Sequence, residues 1–320
     1  MKKSICVVGA GYWGKNHIRT LSELKSLGGV VDNDKDTLNK IASIHPKIKK
    51  HSNLNDALAN NYDGYIIATP AGTHFEIAKS IIKAQVPVLI EKPMTLSISD
   101  AEELVKLAEE KKVNVLVGHV LLFHPAILKI KELINNGSIG ELQYLYSNRL
   151  NLGKVRSEEN VFWSFAPHDI AIFQHFTNSY PRKIFSRGSD ILQKGISDST
   201  LTHIEYQNNI KGHIFVSWLH PFKEHRIVVI GSEGMLTFED SSDGKPLRYY
   251  SKKFNLTNGY PEKIDGPIEE ISYKKKLPLS IELEYFLKHA DDSVPNISNM
   301  YHGLEVVKIL VESSRQLNKN

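Results

Sequence analysis

Over the first third of the chain, short apolar runs alternate with amphipathic stretches. "SICVV" (Ser4–Val8), "SLGGVV" (Ser26–Val31), "GYIIA" (Gly64–Ala68), "VPVLI" (Val86–Ile90) and Asn114–Val117 read as strands. Between them, helical spacing runs from Tyr12 to about Leu24, then over Asp34–Ser43, Ser52–Ala59 behind a serine cap, Thr73–Ala84 and Ser99–Lys111. Strands that are apolar along their whole length belong to a sheet buried on both faces, because a half-solvated sheet alternates. This order predicts a parallel sheet with helices on both sides up to about residue 118.

After one more helix, Pro125–Asn135, the period changes to two. "LQYLYSNRL", "LTHIEYQ", "IKGHIFVSWL", "RIVVIG", "MLTFED" and "LRYYSK" alternate, broken by the turn signals "QNN", "SEG" and "SDG". A largely antiparallel open sheet with one solvated face is expected, closed by helices at Ser280–His289 and about Asn299–Leu317. The fold class is α/β, with one domain over residues 1–118 and an α+β domain over 119–320. No repeat or low-complexity tract interrupts it, and Lys274–Lys276 is a short charge run in a solvated loop.

The first strand runs into "VVGAGYWG", whose Gly9, Gly11 and Gly14 have the spacing G-x-G-x-x-G. The motif alone also fits a plain glycine turn. Its place between a strand and a helix favours a dinucleotide cradle of the Rossmann type. There Gly9 permits the tight turn, Gly11 lets the backbone approach a pyrophosphate, and Gly14 lets helix and strand pack closely. The pyrophosphate rests on the helix N-terminus, where unpaired N–H groups and the macrodipole favour an anion. Asp32 ends the next strand about 20 residues past Gly11, the place for a carboxylate on the adenine ribose. That carboxylate repels a 2′-phosphate, and Asn33 and Asp34 follow it rather than an arginine. NAD is therefore expected over NADP.

Composition excludes more than it selects. The 320 residues carry 40 Lys plus Arg against 36 Asp plus Glu, a mild excess spread along the chain, which gives no reason to expect nucleic acid. No run of about 18 apolar residues predicts a membrane span. The single cysteine, Cys6, rules out a disulfide within the chain, and a reducing, cytoplasmic setting fits; "MKKSICVVGAGYWG" does not read as a signal peptide. His119 and His124 in "GHVLLFHPA" sit at the domain junction, but without HExxH or a tight His/Asp/Glu cluster no metal is expected.

Chemistry is expected where strands end. Lys92 in "IEKP" leaves the apolar strand Val86–Ile90 toward the crevice at the carboxyl edge of the sheet, where ligands of open parallel sheets lie. Desolvation and a cationic nicotinamide nearby would push its pKa down; a surface lysine is the plainer alternative. His168 in "WSFAPHDIAIF" is placed near a helix N-terminus, which disfavours imidazolium, and Asp169 is read as a cap-and-dipole residue. Thr73 and His74 open a helix beside the expected cofactor, Thr73 as a cap and His74 packing on it. Arg149, Asn151, Arg156 and Asn160 in "SNRLNLGKVRSEEN" are either substrate ligands, arginine being suited to carboxylate or phosphate, or an exposed loop. Cofactor contacts are expected from Gly9, Gly11, Tyr12, Trp13, Gly14, Asp32, Asn33, Thr69, Pro70, His74, Glu91 and Lys92.

The glycine loop, "IATPAGTHFEIA", "VLIEKPM", "GHVLLFHPAI", the His-Asp helix and "VIGSEGMLTFED" together resemble the Gfo/Idh/MocA oxidoreductases over nearly the whole chain. The resemblance implies a Rossmann domain, an α+β domain whose sheet often mediates oligomerisation, NAD or NADP, and redox chemistry at a sugar carbon. It makes Lys92 the motif lysine and His168 the motif histidine. Ser164 stands where many members carry aspartate, so the lysine–aspartate–histidine set is incomplete, although the hydroxyl can still position substrate. "RLNLGKVRSEENVFWSFAPHD" is similar to the branch acting on nucleotide-linked sugars, particularly at C3 of UDP-N-acetylglucosamine or its uronate. Dehydrogenation of free sugars or inositols, and a non-catalytic NAD-binding protein, are the alternatives. A homodimer or homotetramer is expected.

Overall fold

The computed structural model describes residues 3–290 and 294–317. In the first of its two compact units the chain runs β1 (Ile5–Val8), α1 (Tyr12–Glu23), β2 (Leu27–Val31), α2 (Lys35–Ile44), β3 (Lys49–His51), α3 (Leu54–Leu58) and β4 (Gly64–Ile67). It continues through α4 (His74–Lys83), β5 (Val88–Glu91), α5 (Ile98–Lys111) and β6 (Val115–Gly118). The six strands pair in parallel in the order β3-β2-β1-β4-β5-β6. The order reverses between β1 and β4, and the crevice outside their carboxyl ends is the general ligand site of such sheets. β1, β4, β5 and β6 are buried at every position, which explains why they read as unbroken apolar runs. β3 escaped the pattern because its sequence is Lys-Lys-His, with both lysines exposed at the sheet edge. Charge of this kind guards an edge against pairing with another chain.

Local chemistry sets the helix starts. Asp34 caps α2, Ser97 caps α5, and Asn53, rather than Ser52, caps α3. Thr73 makes no side-chain cap; a single 3₁₀ turn, Ala71–Thr73, precedes α4, and the Thr73 hydroxyl bonds Thr69 and the Pro70 carbonyl instead.

The second unit contains α6 (Pro125–Asn135), β7 (Leu142–Leu152), α7 (Val161–Thr177), β8 (Lys183–Ser189), β9 (Ser199–Glu205), β10 (Lys211–Ser217) and β11 (Leu219–Gly231). β12 (Met235–Glu239), β13 (Leu247–Tyr250), the hairpin β14 (Lys253–Thr257) with β15 (Tyr260–Ile264), and β16 (Ile268–Glu270) follow. Its eight-stranded sheet has the order β16-β13-β12-β11-β7-β10-β9-β8, and β7 with β10 is the parallel pair in it. The inner face, with Leu145, Ile204, Ile214 and Val216, is buried, and α7 packs against it. Gly212 makes that packing possible: a Cβ there would meet Phe173 of α7 at 3.0 Å. The outer face is not merely polar. His213 stacks on Tyr146 at 5.1 Å, and Phe185 and Leu201 are 53% and 50% exposed.

One cut after residue 118 does not divide the molecule. The first unit comprises 1–123 and also 276–308, and the second comprises 124–275 and 309–320. The returning segment carries α8 (Pro278–His289) and the start of α9 (Met300–Leu317). Leu283 and Phe286 of α8, both 0% exposed, join the core formed with Ile5, Val7, Ile18 and Ile66. Periodicity showed that α8 has a buried face but not which sheet buries it. Among the described residues no helix is long and apolar enough to cross a membrane, and no group of three His, Cys, Asp or Glu is placed to hold a metal ion. Cys6 is fully buried in β1, and burial pushes its thiol pKa up. Phe286→Ala should lower stability by about 3–5 kcal/mol, the cost of emptying a buried aromatic site. Urea unfolding measures it, and a loss below about 1 kcal/mol would mean that α8 is not part of this core.

Candidate functional site

In the first unit, the turn after β1 has the geometry of a phosphate cradle. Gly9 has φ +92°, and a Cβ there would lie 2.8 Å from Thr69 Cγ2 and 2.9 Å from the Ala68 backbone. At Gly14 a Cβ would fall 1.9 Å from the Gly9 carbonyl oxygen, so α1 lies as close to the loop as a glycine allows. Gly11 differs: nothing lies within 4 Å of where its Cβ would be. That open space is on the ligand side of the loop, at the start of a helix with no side-chain cap and no acidic residue in its first turn. Unpaired N–H groups there suit a pyrophosphate.

Asp32 stands at the end of β2 with both carboxylate oxygens anchored. Oδ2 accepts the Ala10 N–H at 2.8 Å and Oδ1 accepts the Asp34 N–H at 2.9 Å. Each oxygen keeps lone pairs for ribose hydroxyls. Gly9, Gly11, Asp32, Asn33, Thr69 and Pro70 line one cavity of about 550 Å³, and these residues fit a dinucleotide. Thr73 lines it as well, and so do Ser52, Asn53, Leu54 and Ile77, which were not foreseen. Ser52–Leu54 follow β3, so recognising that strand would have placed them at the carboxyl edge. Tyr12 and Trp13 do not line the cavity but stand 84% and 40% exposed on the first turn of α1.

Lys92 follows β5, is half-buried, and joins Pro93 through a cis peptide. The residues around it hold the backbone of this turn. His74 is 1% exposed, with Nδ1 2.8 Å from the Pro93 carbonyl and Nε2 2.9 Å from the Thr69 carbonyl. It ties the turn after β4 to the turn after β5. Glu91 is similarly committed: Oε1 lies 2.7 Å from Nε2 of the buried His17, and Oε2 accepts the Lys92 N–H at 3.2 Å. His74 and Glu91 are thus both buried, with their polar side-chain atoms placed against protein partners. Glu282 of α8 is a buried group the sequence did not flag. Neither carboxyl oxygen has a hydrogen-bond partner, and burial followed by the Glu91 charge pushes its pKa well above the usual carboxylate range.

In the second unit, α7 begins at Val161, with the Asn160 side chain accepting the Trp163 N–H at 3.1 Å. His168 therefore lies two turns inside the helix, and the N-terminal dipole does not act on it as expected. The gain is a different alignment. Asn160, Ser164 and His168 recur every fourth residue, so they share one helix face, and all three are half-buried. Trp163 Nε1 donates to Ser314 Oγ at 2.7 Å, which fixes the rotation of α7. Asn151 is half-buried and Arg156 exposed on the segment between β7 and α7.

Arg149 is not an open fork for substrate. It is 7% exposed, with Nε donating to Asp169 Oδ2 at 2.7 Å and Nη2 to Oδ1 at 3.1 Å. Asp169, 0% exposed, is the buried counterion of β7's arginine rather than a cap. His225 Nδ1 lies 3.4 Å from Nη1, and burial followed by the Arg149 charge pushes that imidazole down to about 3. Asp169→Ala strands a buried guanidinium and should cost about 3–5 kcal/mol in chemical denaturation, with the double change to leucines costing less. A stable Asp169→Ala protein with weakened substrate binding would restore Arg149 as a substrate ligand.

Residues 3–119 match the NAD-binding Rossmann fold of an oxidoreductase family, Gfo/Idh/MocA, and residues 127–237 match the C-terminal domain of that family. UDP-N-acetylglucosamine 3-dehydrogenase of Acidithiobacillus ferrooxidans is 30% identical over 285 residues, 88% of this chain and 86% of that protein. A solved structure of that enzyme superposes with a TM-score of 0.87, covering 100% of this chain and 98% of the other at 22% identity. The WlbA dehydrogenase of Bordetella pertussis, in complex with NADH and UDP-GlcNAcA, gives 0.77 over 98% and 97% at 19% identity. Both superpositions establish the shared fold. With the cradle, the strand order and matches to both domains in place, the chain belongs to the Gfo/Idh/MocA oxidoreductases, with an NAD-binding Rossmann domain at its N-terminal end.

Proposed function

We propose that this protein is an NAD-dependent dehydrogenase that oxidises C3 of a UDP-N-acetylhexosamine or its uronate. The observation that carries the reading is the similarity to a UDP-N-acetylglucosamine 3-dehydrogenase over 88% of the chain, which takes in the second unit as well as the Rossmann domain. When bound, NAD supplies a hydride acceptor. The chain's own residues divide the remaining work. Gly11 and the first turn of α1 receive the pyrophosphate, and Asp32, fixed by Ala10 and Asp34, accepts from the adenosine ribose and disfavours a 2′-phosphate. Lys92 and His168, the family's motif positions, share removal of the hydroxyl proton. Ser164, one turn from His168, orients the hydroxyl in place of the usual aspartate. Asn151, Arg156 and Asn160 bind the polar and phosphate groups of the substrate.

A panel of UDP-sugars, free sugars and inositols, followed by NADH absorbance, tests the reading. Turnover of a UDP-N-acetylhexosamine or its uronate is expected, and activity confined to free sugars or inositols would overturn the substrate class. Lys92→Ala should reduce turnover by about 10²–10⁴, the usual worth of positioned proton transfer, while NAD still binds. Unchanged turnover would remove Lys92 from the chemistry.

A further inference from the structure

We propose that His119 carries the proton taken up by Lys92 onward to His302 and so to solvent; this rests on the reading of Lys92 as a proton acceptor. All three residues belong to the first unit. β5 and β6 pair in parallel with Glu91 opposite Gly118, so Lys92 and His119 leave adjacent strand ends side by side. The first turn of α9 packs on the same strand end: a Cβ at Gly303 would lie 2.5 Å from Val117 Cγ2 and 3.1 Å from Met94 Sδ. His302, the residue before Gly303, is half-buried, with its backbone N–H capped by Asn299 Oδ1 at 3.1 Å.

The His119 ring is 1% exposed, and neither of its nitrogens has a hydrogen-bond partner; Nδ1 of His302 is buried and unpaired as well. A neutral imidazole always carries one N–H, and burying it unpaired costs about 1–3 kcal/mol. A leucine here would avoid that cost. His74, elsewhere in this unit, has a carbonyl oxygen within 2.9 Å of each ring nitrogen, so whichever nitrogen carries the proton has an acceptor. A ring kept free at both ends suits transfer instead. It takes a proton at one nitrogen while releasing one from the other, so no imidazolium need accumulate, and turning over the unbonded ring restores the starting tautomer. Burial holds the ring neutral, pushing its pKa down to about 3, and the nearby His302 and Lys92 add to this. The proton balance closes: the hydroxyl proton passes to the Lys92 amine, then through His119 to His302, while the electron pair leaves as hydride to NAD.

Two variants and a label test the relay. His119→Leu removes an unsatisfied donor, so its thermal midpoint should hold or rise, and NAD affinity should not change. Its turnover should fall by about 10²-fold, the low end of the range for positioned proton transfer. His119→Ala should be similarly slow and recover with added imidazole, which a packing defect alone would not. Turnover of His119→Leu within about twofold of the unaltered protein, or no recovery with imidazole, would overturn the relay. Independently of the sugar, the nitrogen-15 shifts of the His119 ring should respond to Lys92→Met; unresponsive shifts would overturn it too. Failure of the unaltered protein to oxidise any sugar would remove the dehydrogenase reading itself, whereas normal turnover in the His119 variants removes only the relay.

Discussion

The close approach of α1 to the loop after β1 is the constraint on which the first unit depends. At Gly14 no atom larger than hydrogen fits between the helix and the Gly9 carbonyl. The approach sets the N-terminus of α1 against the carboxyl edge of β1 and leaves its first N–H groups uncapped by any side chain. A helix end left in this way is an anion site, because unpaired donors and the macrodipole act together. The open space at Gly11 adjoins that helix end, and Asp32 is anchored there through both carboxylate oxygens.

Around Lys92, and between β7 and α7, buried polar groups hold the chain in place. His17 and Glu91 fix the peptide of Lys92, His74 joins two ligand-side turns, and Arg149 with Asp169 ties β7 to α7. Each bonds other protein groups, as burial requires, although His17 Nδ1 has no partner. The contrast is with Glu282 and His119, whose polar atoms lack partners. Burial favours the uncharged form of both Glu282 and His119, and each uncharged form still carries one donor without a partner.

What the sequence made legible follows from which signals are local. Unbroken apolar runs gave five strands of the parallel sheet, and the glycine spacing with Asp32 gave the cradle, since both depend on neighbours within about 20 residues. β3 was missed because an edge strand needs no apolar run. Arg149 was misassigned because composition identifies a fork-shaped donor but not what fills it, and Asp169 reaches it only through the packing of α7 on the sheet. The same limit applied to α7 itself: the Asn160 cap lies eight residues before His168, and reading the helix as starting later put a dipole where there is none. The return of α8 to the first unit was beyond reach for a related reason, since a buried face does not name its partner.

Calorimetric titration of NAD into the Gly11→Val protein tests the account most directly. The position has room for a side chain within the fold, and the account assigns that room to the pyrophosphate. Thermal stability should therefore be kept while NAD affinity falls by at least about tenfold, or 1.4 kcal/mol. A stable variant that binds NAD as tightly as the unaltered protein would contradict the placement of the cofactor at this loop, and with it the roles derived from that placement.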